Sequence, residues 1–191
     1  MSDDELSFLI VTRQDQLTDE AAHDVLNRFI AVRDAVARFA RDAERAPDEV
    51  TLVLSDIGFD DAGTLEDPDN GDATGMVFGR EGTYVLVNGK TRPTLRARSG
   101  APQRWRVVNS AKSRFFVLNM DGFVFTIIGG DGGLQESATT TEQVLITPGE
   151  RVDLIVTPTG APGTELVVRS MLHNRGYGSF FRNVEDILTV R

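Results

Sequence analysis

The stretch that decides the fold is Val87 to Gly133, VNGKTRPTLRARSGAPQRWRVVNSAKSRFFVLNMDGFVFTIIGGDGG. Within it, Thr94–Arg98, Arg104–Asn109, Phe115–Leu118 and Phe123–Ile128 are short runs of β-forming residues. Turn residues close each run: Asn88-Gly89, Ser99-Gly100-Ala101-Pro102, Asn109-Ser110 and Asp121-Gly122. Short strands punctuated in this way point to an all-β sandwich or barrel. Side chains alternate along a strand. In Arg104–Asn109, Trp105 and Val107 therefore face one side, and Arg104, Arg106 and Val108 the other. Trp105 is expected in the core and the two arginines at the surface.

Working outward, Glu49–Asp56 and Tyr84–Val87 read as strands before the central stretch. Gln143–Ile146, Arg151–Thr157, Glu165–Ser170 and Asp186–Val190 read as strands after it. About eight to ten strands fit a Greek-key sandwich. Gly58 to Gly82, rich in acids and glycines, reads as a long loop. Its Asp67-Pro68-Asp69-Asn70-Gly71-Asp72 fails the EF-hand pattern: the glycine falls one place early and no glutamate closes the loop. A solvated acidic loop is the expectation there. Asp131, in Gly129-Gly130-Asp131-Gly132-Gly133, is expected to cap backbone N–H groups. These glycines make no phosphate loop, since no Lys-Ser or Lys-Thr follows.

The first part of the chain has a different period. Thr18, followed by Asp19 and Glu20, is a helix start: a capping hydroxyl, then carboxylates at the positive end of the dipole. Ala22, Val25, Phe29, Val32, Val36, Phe39 and Ala43 recur at alternating spacings of three and four. That is the a/d seam of an amphipathic helix over about 18–45. Ala46-Pro47-Asp48 ends it. The seam can dock on the chain's own β domain or join copies of the chain; at about three heptads an isolated dimer is marginal. The chain thus divides into an N-terminal segment, 1–46, and a β domain, 47–191. Ser7–Thr12 is a short strand or an apolar tether.

The specific blocks of the β domain resemble the second cupredoxin domain of the laccase-like multicopper oxidases. They are Val87-Asn88-Gly89-Lys90, Pro93-Thr94-Leu95-Arg96, Gln103 to Asn109, Asp121-Gly122 with Ile127 to Gly133, and Thr147-Pro148-Gly149-Glu150-Arg151-Val152-Asp153. The likeness runs from about Glu49 to Arg191. It implies a cupredoxin-like sandwich from a family whose copper centres oxidise substrates and reduce dioxygen.

Those centres impose a donor test. A blue-copper site takes two histidines, a cysteine thiolate and a weak axial ligand. The three-copper cluster of the family takes several His-x-His pairs, supplied by its first and third domains. This chain of 191 residues has no cysteine, and only His23 and His173 as histidines. The resemblance therefore implies the copper-free middle domain, not catalytic alone, with no cofactor in this chain and copper only in the parent family. Its partners are then other cupredoxin domains, or other copies of itself through the helix. One piece of an active oxidase, completed by other chains, is the alternative, and a helix-mediated assembly module is another.

His23 lies beside the helical seam, as a surface histidine or a metal ligand gathered by an oligomer. His173, Asn174, Arg175 and Tyr177 belong to a loop that matches a family segment. They are candidates for a domain interface, with plain polar-loop residues as the alternative. Many relatives carry histidine after Asp121-Gly122; here Phe123 suggests an apolar contact. No Gly-x-Ser-x-Gly elbow is present for a serine hydrolase.

A net charge of −9 argues against nucleic acid and against an anionic membrane surface. The acidic start, Met1-Ser2-Asp3-Asp4-Glu5, lacks the basic opening of a secretory signal. The chain as written reads as cytoplasmic, although oxidases of the family are often exported.

If the seam joins protomers, Phe29→Asp lowers the mass measured by sedimentation. A monomer before the substitution would contradict that reading.

Overall fold

The computed structural model describes residues 48–67, 77–174 and 184–191. The expected helix over 18–45 with its seam, the Ser7–Thr12 run and His23 lie outside the described residues, as do Pro68 to Asp72 of the acidic loop.

The described chain forms eleven strands: β1 Asp48–Ile57, β2 Tyr84–Val87, β3 Thr94–Leu95, β4 Gln103–Asn109, β5 Phe116–Met120, β6 Phe125–Gly130, β7 Gly133–Thr141, β8 Gln143–Ile146, β9 Arg151–Val156, β10 Leu166–Ser170 and β11 Glu185–Val190. One sheet has the order β2-β1-β4-β9-β6-β7, and the other β3-β11-β10-β5-β8. β1 runs parallel to β4, from Asp48 opposite Gln103 to Leu54 opposite Asn109. β4 pairs antiparallel with β9, which sets Trp105 opposite Leu154 and Val107 opposite Val152.

The core lies where the inner faces of the sheets meet. Leu52, Leu54, Trp105, Val107, Leu154 and Val156 come from one sheet, and Phe116, Leu118, Met120, Ile146, Val168 and Leu188 from the other. Trp105 is fully buried, as its place in the alternation requires. Its indole Nε1–H donates to Gln103 Oε1 at 3.0 Å, and Gln103 Nε2 donates to the Arg96 carbonyl at 3.1 Å. A buried indole needs such an acceptor. Its ring also meets Phe125 at 6.4 Å, tilted by 55°.

On the outer side, Arg104 pairs with Glu49 at 3.1 Å and with Asp153, while Arg106 reaches the same Glu49 at 3.3 Å. The parallel register places Glu49 directly beside Arg104.

The turns follow residue chemistry. Asn88 and Gly89 have φ of 52° and 74°, the two left-handed positions of a tight hairpin turn. The Asn88 side chain is also a backbone mimic: Oδ1 accepts the Val53 N–H at 2.8 Å, and Nδ2 donates to the Thr51 carbonyl at 2.8 Å. It extends the edge of the sheet past the end of β2.

Several strand ends shift by one or two residues from the sequence expectation, and four differences have a clear physical reason. β6 starts at Phe125, because Phe123 N–H still donates to the Met120 carbonyl at 3.0 Å and so belongs to the turn. β3 is shorter than Thr94–Arg98, although Ala97 N–H still reaches the Arg191 carbonyl at 2.9 Å. The loop after Gly58 begins as a closed arm, with Phe59 bridged to Leu65. β7 is the missed strand. Its sequence, GLQESATTT, is exposed along nearly its whole length and has no apolar alternation to read. It is a sheet edge, held by β6, and an irregularity between Ile127 and Gly129 breaks its register. Such a break also protects an open edge from pairing with another chain.

Trp105→Ala should destabilise the fold by about 3–5 kcal/mol, the usual cost of emptying a buried aromatic site. Urea unfolding followed by far-UV circular dichroism checks it.

Candidate functional site at the loop end of the sandwich

β4 ends at Asn109, and the chain turns through Ser110 to Phe115 before entering β5. Asn109 is buried and holds this turn. Its Nδ2 donates to the Arg114 carbonyl at 2.8 Å and to the Ile146 carbonyl at 3.0 Å, and its Oδ1 accepts the Ala111 N–H at 3.0 Å. All the polar atoms of this amide are engaged, as a buried polar side chain requires.

Arg114 stands two residues before the buried Phe116, so an extended backbone aims both inward. Its side chain is 5% exposed, and that of its partner Asp56 2%. Nε donates to Asp56 Oδ2 at 3.0 Å, and Nη2 to the Gly82 carbonyl at 2.6 Å. Nη1 lies 3.6 Å from Glu185 Oε1. Asp56 Oδ2 also accepts the Gly82 N–H at 2.7 Å. Gly82 allows no side chain here, since a Cβ would come within 2.5 Å of the Ile57 backbone. One guanidinium therefore joins the end of β1, the entry to β2 and the start of β11.

Phe115 points the other way, by alternation. Its ring stacks on His173 with centroids 5.3 Å apart and planes at 17°. His173 and Asn174 are exposed at this end. Met171 N–H donates to the Val117 carbonyl at 2.8 Å and anchors the segment that carries them. Arg175 and Tyr177 lie outside the described residues.

The other singled-out acids have structural partners. Asp131 Oδ1 accepts the Arg151 N–H at 2.8 Å, which is the capping role expected of it, and pairs with that guanidinium at 3.1 Å. Asp121 accepts from Arg169 Nη1, and Arg169 Nε donates to Asp186 Oδ1 at 3.0 Å. Its hydrogen bond to Asp121, then that to Asp186, raises the Arg169 pKa above its ordinary value. Arginine is charged at any working pH, so this is a clamp and not a switch. Phe123 packs against the core, the apolar contact its sequence suggested. A cleft of about 70 Å³ opens between Ala97, Ser99, Pro158, Thr164 and Leu166 at another part of the surface. It is smaller than the usual small-molecule site of about 300–1,000 Å³.

The sequence reading missed Arg114, Asp56 and Gln103 as functional or structural centres. A signal for Arg114 existed in Ser113-Arg114-Phe115-Phe116: a charge at the inward parity of an aromatic strand needs a buried counter-charge. Nothing local to Asp56 marks it as that counter-charge, 58 residues away.

Residues 48–179 match the family model of the multicopper oxidases. The chain belongs to the multicopper oxidase family. It is 34% identical over 88 residues to the laccase of Bacillus subtilis, an alignment covering 46% of this chain and 17% of that protein. It is 31% identical over 110 residues to the cell division protein FtsP of Escherichia coli, covering 57% of this chain and 22% of that one. Among solved structures, the metallo-oxidase of Campylobacter jejuni superposes with a TM-score of 0.64 and 25% identity, covering 75% of this chain and 29% of that chain. The chain thus spans under a third of the length of each of these three proteins.

The family's copper was tested against the side chains present. A blue-copper centre lacks its thiolate, because the sequence holds no cysteine. Among the described residues, no three His, Cys, Asp or Glu side chains gather to hold a metal ion. His173, the imidazole among them, lies flat on Phe115. The donors do not fit either copper centre, and no chemical step is assigned through copper.

Asp56→Ala should cost about 3–5 kcal/mol by leaving the Arg114 charge buried without its partner. Thermal and urea melts read the loss; a change within about 0.5 kcal/mol would show that the pair does not hold this end together.

Proposed function

We propose that this chain is the copper-free structural cupredoxin domain of a laccase-like multicopper oxidase, the middle-domain type, with no oxidase activity alone. Membership of the family, together with a donor set that lacks any thiolate, carries this reading. The sandwich then spaces and walls neighbouring copper-bearing domains, and the His173–Asn174 loop, with Arg175 and Tyr177, is the segment that meets them.

A second reading draws on length. The chain spans 17% of its laccase relative, so the ligands missing here would come from other polypeptides or domains of one active oxidase.

Incubation of the pure chain with Cu(II), followed by metal analysis, a visible spectrum and a phenolic substrate assay, tests the proposal. No bound stoichiometric copper, no intense blue band and no turnover are expected. Turnover by the lone chain would overturn the first reading. Turnover only after mixing with a His-rich, Cys-containing partner would support the second.

A further inference from the structure

Residues 58–66 form a closed arm beside the β2 edge of the larger sheet. Asp60 N–H donates to the Thr64 carbonyl at 2.9 Å, Gly63 N–H to the Asp60 carbonyl at 2.9 Å, and Glu66 N–H to the Gly58 carbonyl at 3.0 Å. Asp60 Oδ1 accepts the N–H groups of Ala62 and Thr64 at 2.9 and 2.8 Å. These hydrogen bonds fasten the arm from within.

Its large apolar side chains are nevertheless spent outside. Phe59 is 45% exposed and Leu65 62%. They are bridge partners across the arm, so they share one face. Phe59 also meets Tyr84 edge-on at 6.0 Å and 61°, and Tyr84 is 51% exposed. Scattered apolar side chains on a surface need no explanation; here three adjoin, and tyrosine is among the residue types enriched at the centres of protein contacts. An arm already closed by its own hydrogen bonds has less freedom to lose on binding, which lowers the cost of association.

The surroundings select the occupant. The exposed carboxylates of Asp60 and Asp61 stand at the tip of the arm. A second copy docked face to face would oppose these carboxylates to their own equivalents, in a chain of net charge −9. An anionic bilayer meets the same repulsion.

We propose that Phe59, Leu65 and Tyr84 form the contact centre for a different polypeptide, one that presents an apolar patch rimmed by lysine or arginine. This rests on the reading above that the sandwich works beside another domain or chain, and it names a further contact face, separate from the His173–Asn174 loop, together with its chemistry.

The probe is a fluorescein-labelled amphipathic peptide of leucine and lysine, titrated with the full chain and followed by anisotropy. Leu65→Ser and Tyr84→Ser should each weaken binding about tenfold or more, and Asp61→Lys should weaken it also. Leu145→Ser, at an exposed position of β8, should leave it unchanged, and a leucine–glutamate peptide should not bind. Far-UV circular dichroism and Trp105 fluorescence establish that each variant is folded. Equal binding by the parent chain, Leu65→Ser and Tyr84→Ser would overturn the proposal, as would an equal loss in Leu145→Ser. The copper measurements are independent of this titration. Tight copper binding would sink the structural reading with the contact face intact, and patch-blind peptide binding would do the reverse.

Discussion

A guanidinium shut away from water is stable only where a carboxylate and carbonyls meet its N–H groups, and the loop end of this sandwich is arranged around one. Arg114 draws in Asp56 from β1, the Gly82 carbonyl before β2 and Glu185 at the start of β11. Desolvating both charges offsets much of their attraction, so the pair adds little net stability over a well-packed apolar pair. Its consequence is geometric. Segments far apart in sequence have one arrangement in which the charge is satisfied, and the same turn sends Phe115 outward to carry His173.

The second constraint is one of donor atoms. Copper that cycles between oxidation states in this family is held by imidazole and thiolate, and packing cannot supply either. A β-sandwich survives the loss of such donors because its stability comes from the Trp105–Phe125 core and the ladders around it. The fold can therefore persist as a spacer while the chemistry resides elsewhere, which is the sense of the proposed function.

Legibility varied with burial. β2 and β8 appear at the residues expected from their short apolar runs, and β4, the strand read from its alternation, within one residue; in β4 and β8 exposure alternates along the strand. β7 was invisible, because a strand exposed on both faces has no reason to alternate. The arm at residues 58–66 was hidden for a related reason: its acids and glycines look like any solvated loop until Asp60 is seen to take two backbone amides. At the candidate site, His173 was legible as a polar loop residue, and its stacking partner was not.

By itself the sequence determined the sandwich, the inward Trp105, the Asn88-Gly89 turn and the absence of a thiolate. Each is written in residue type or in a period of two, which are local properties. Only the tertiary structure decided which carboxylate meets Arg114, that Phe115 lies under His173, and that Phe59, Leu65 and Tyr84 gather on one exposed face. Those are meetings of segments separated along the chain, and they follow from strand order and register, which no short stretch of residues encodes.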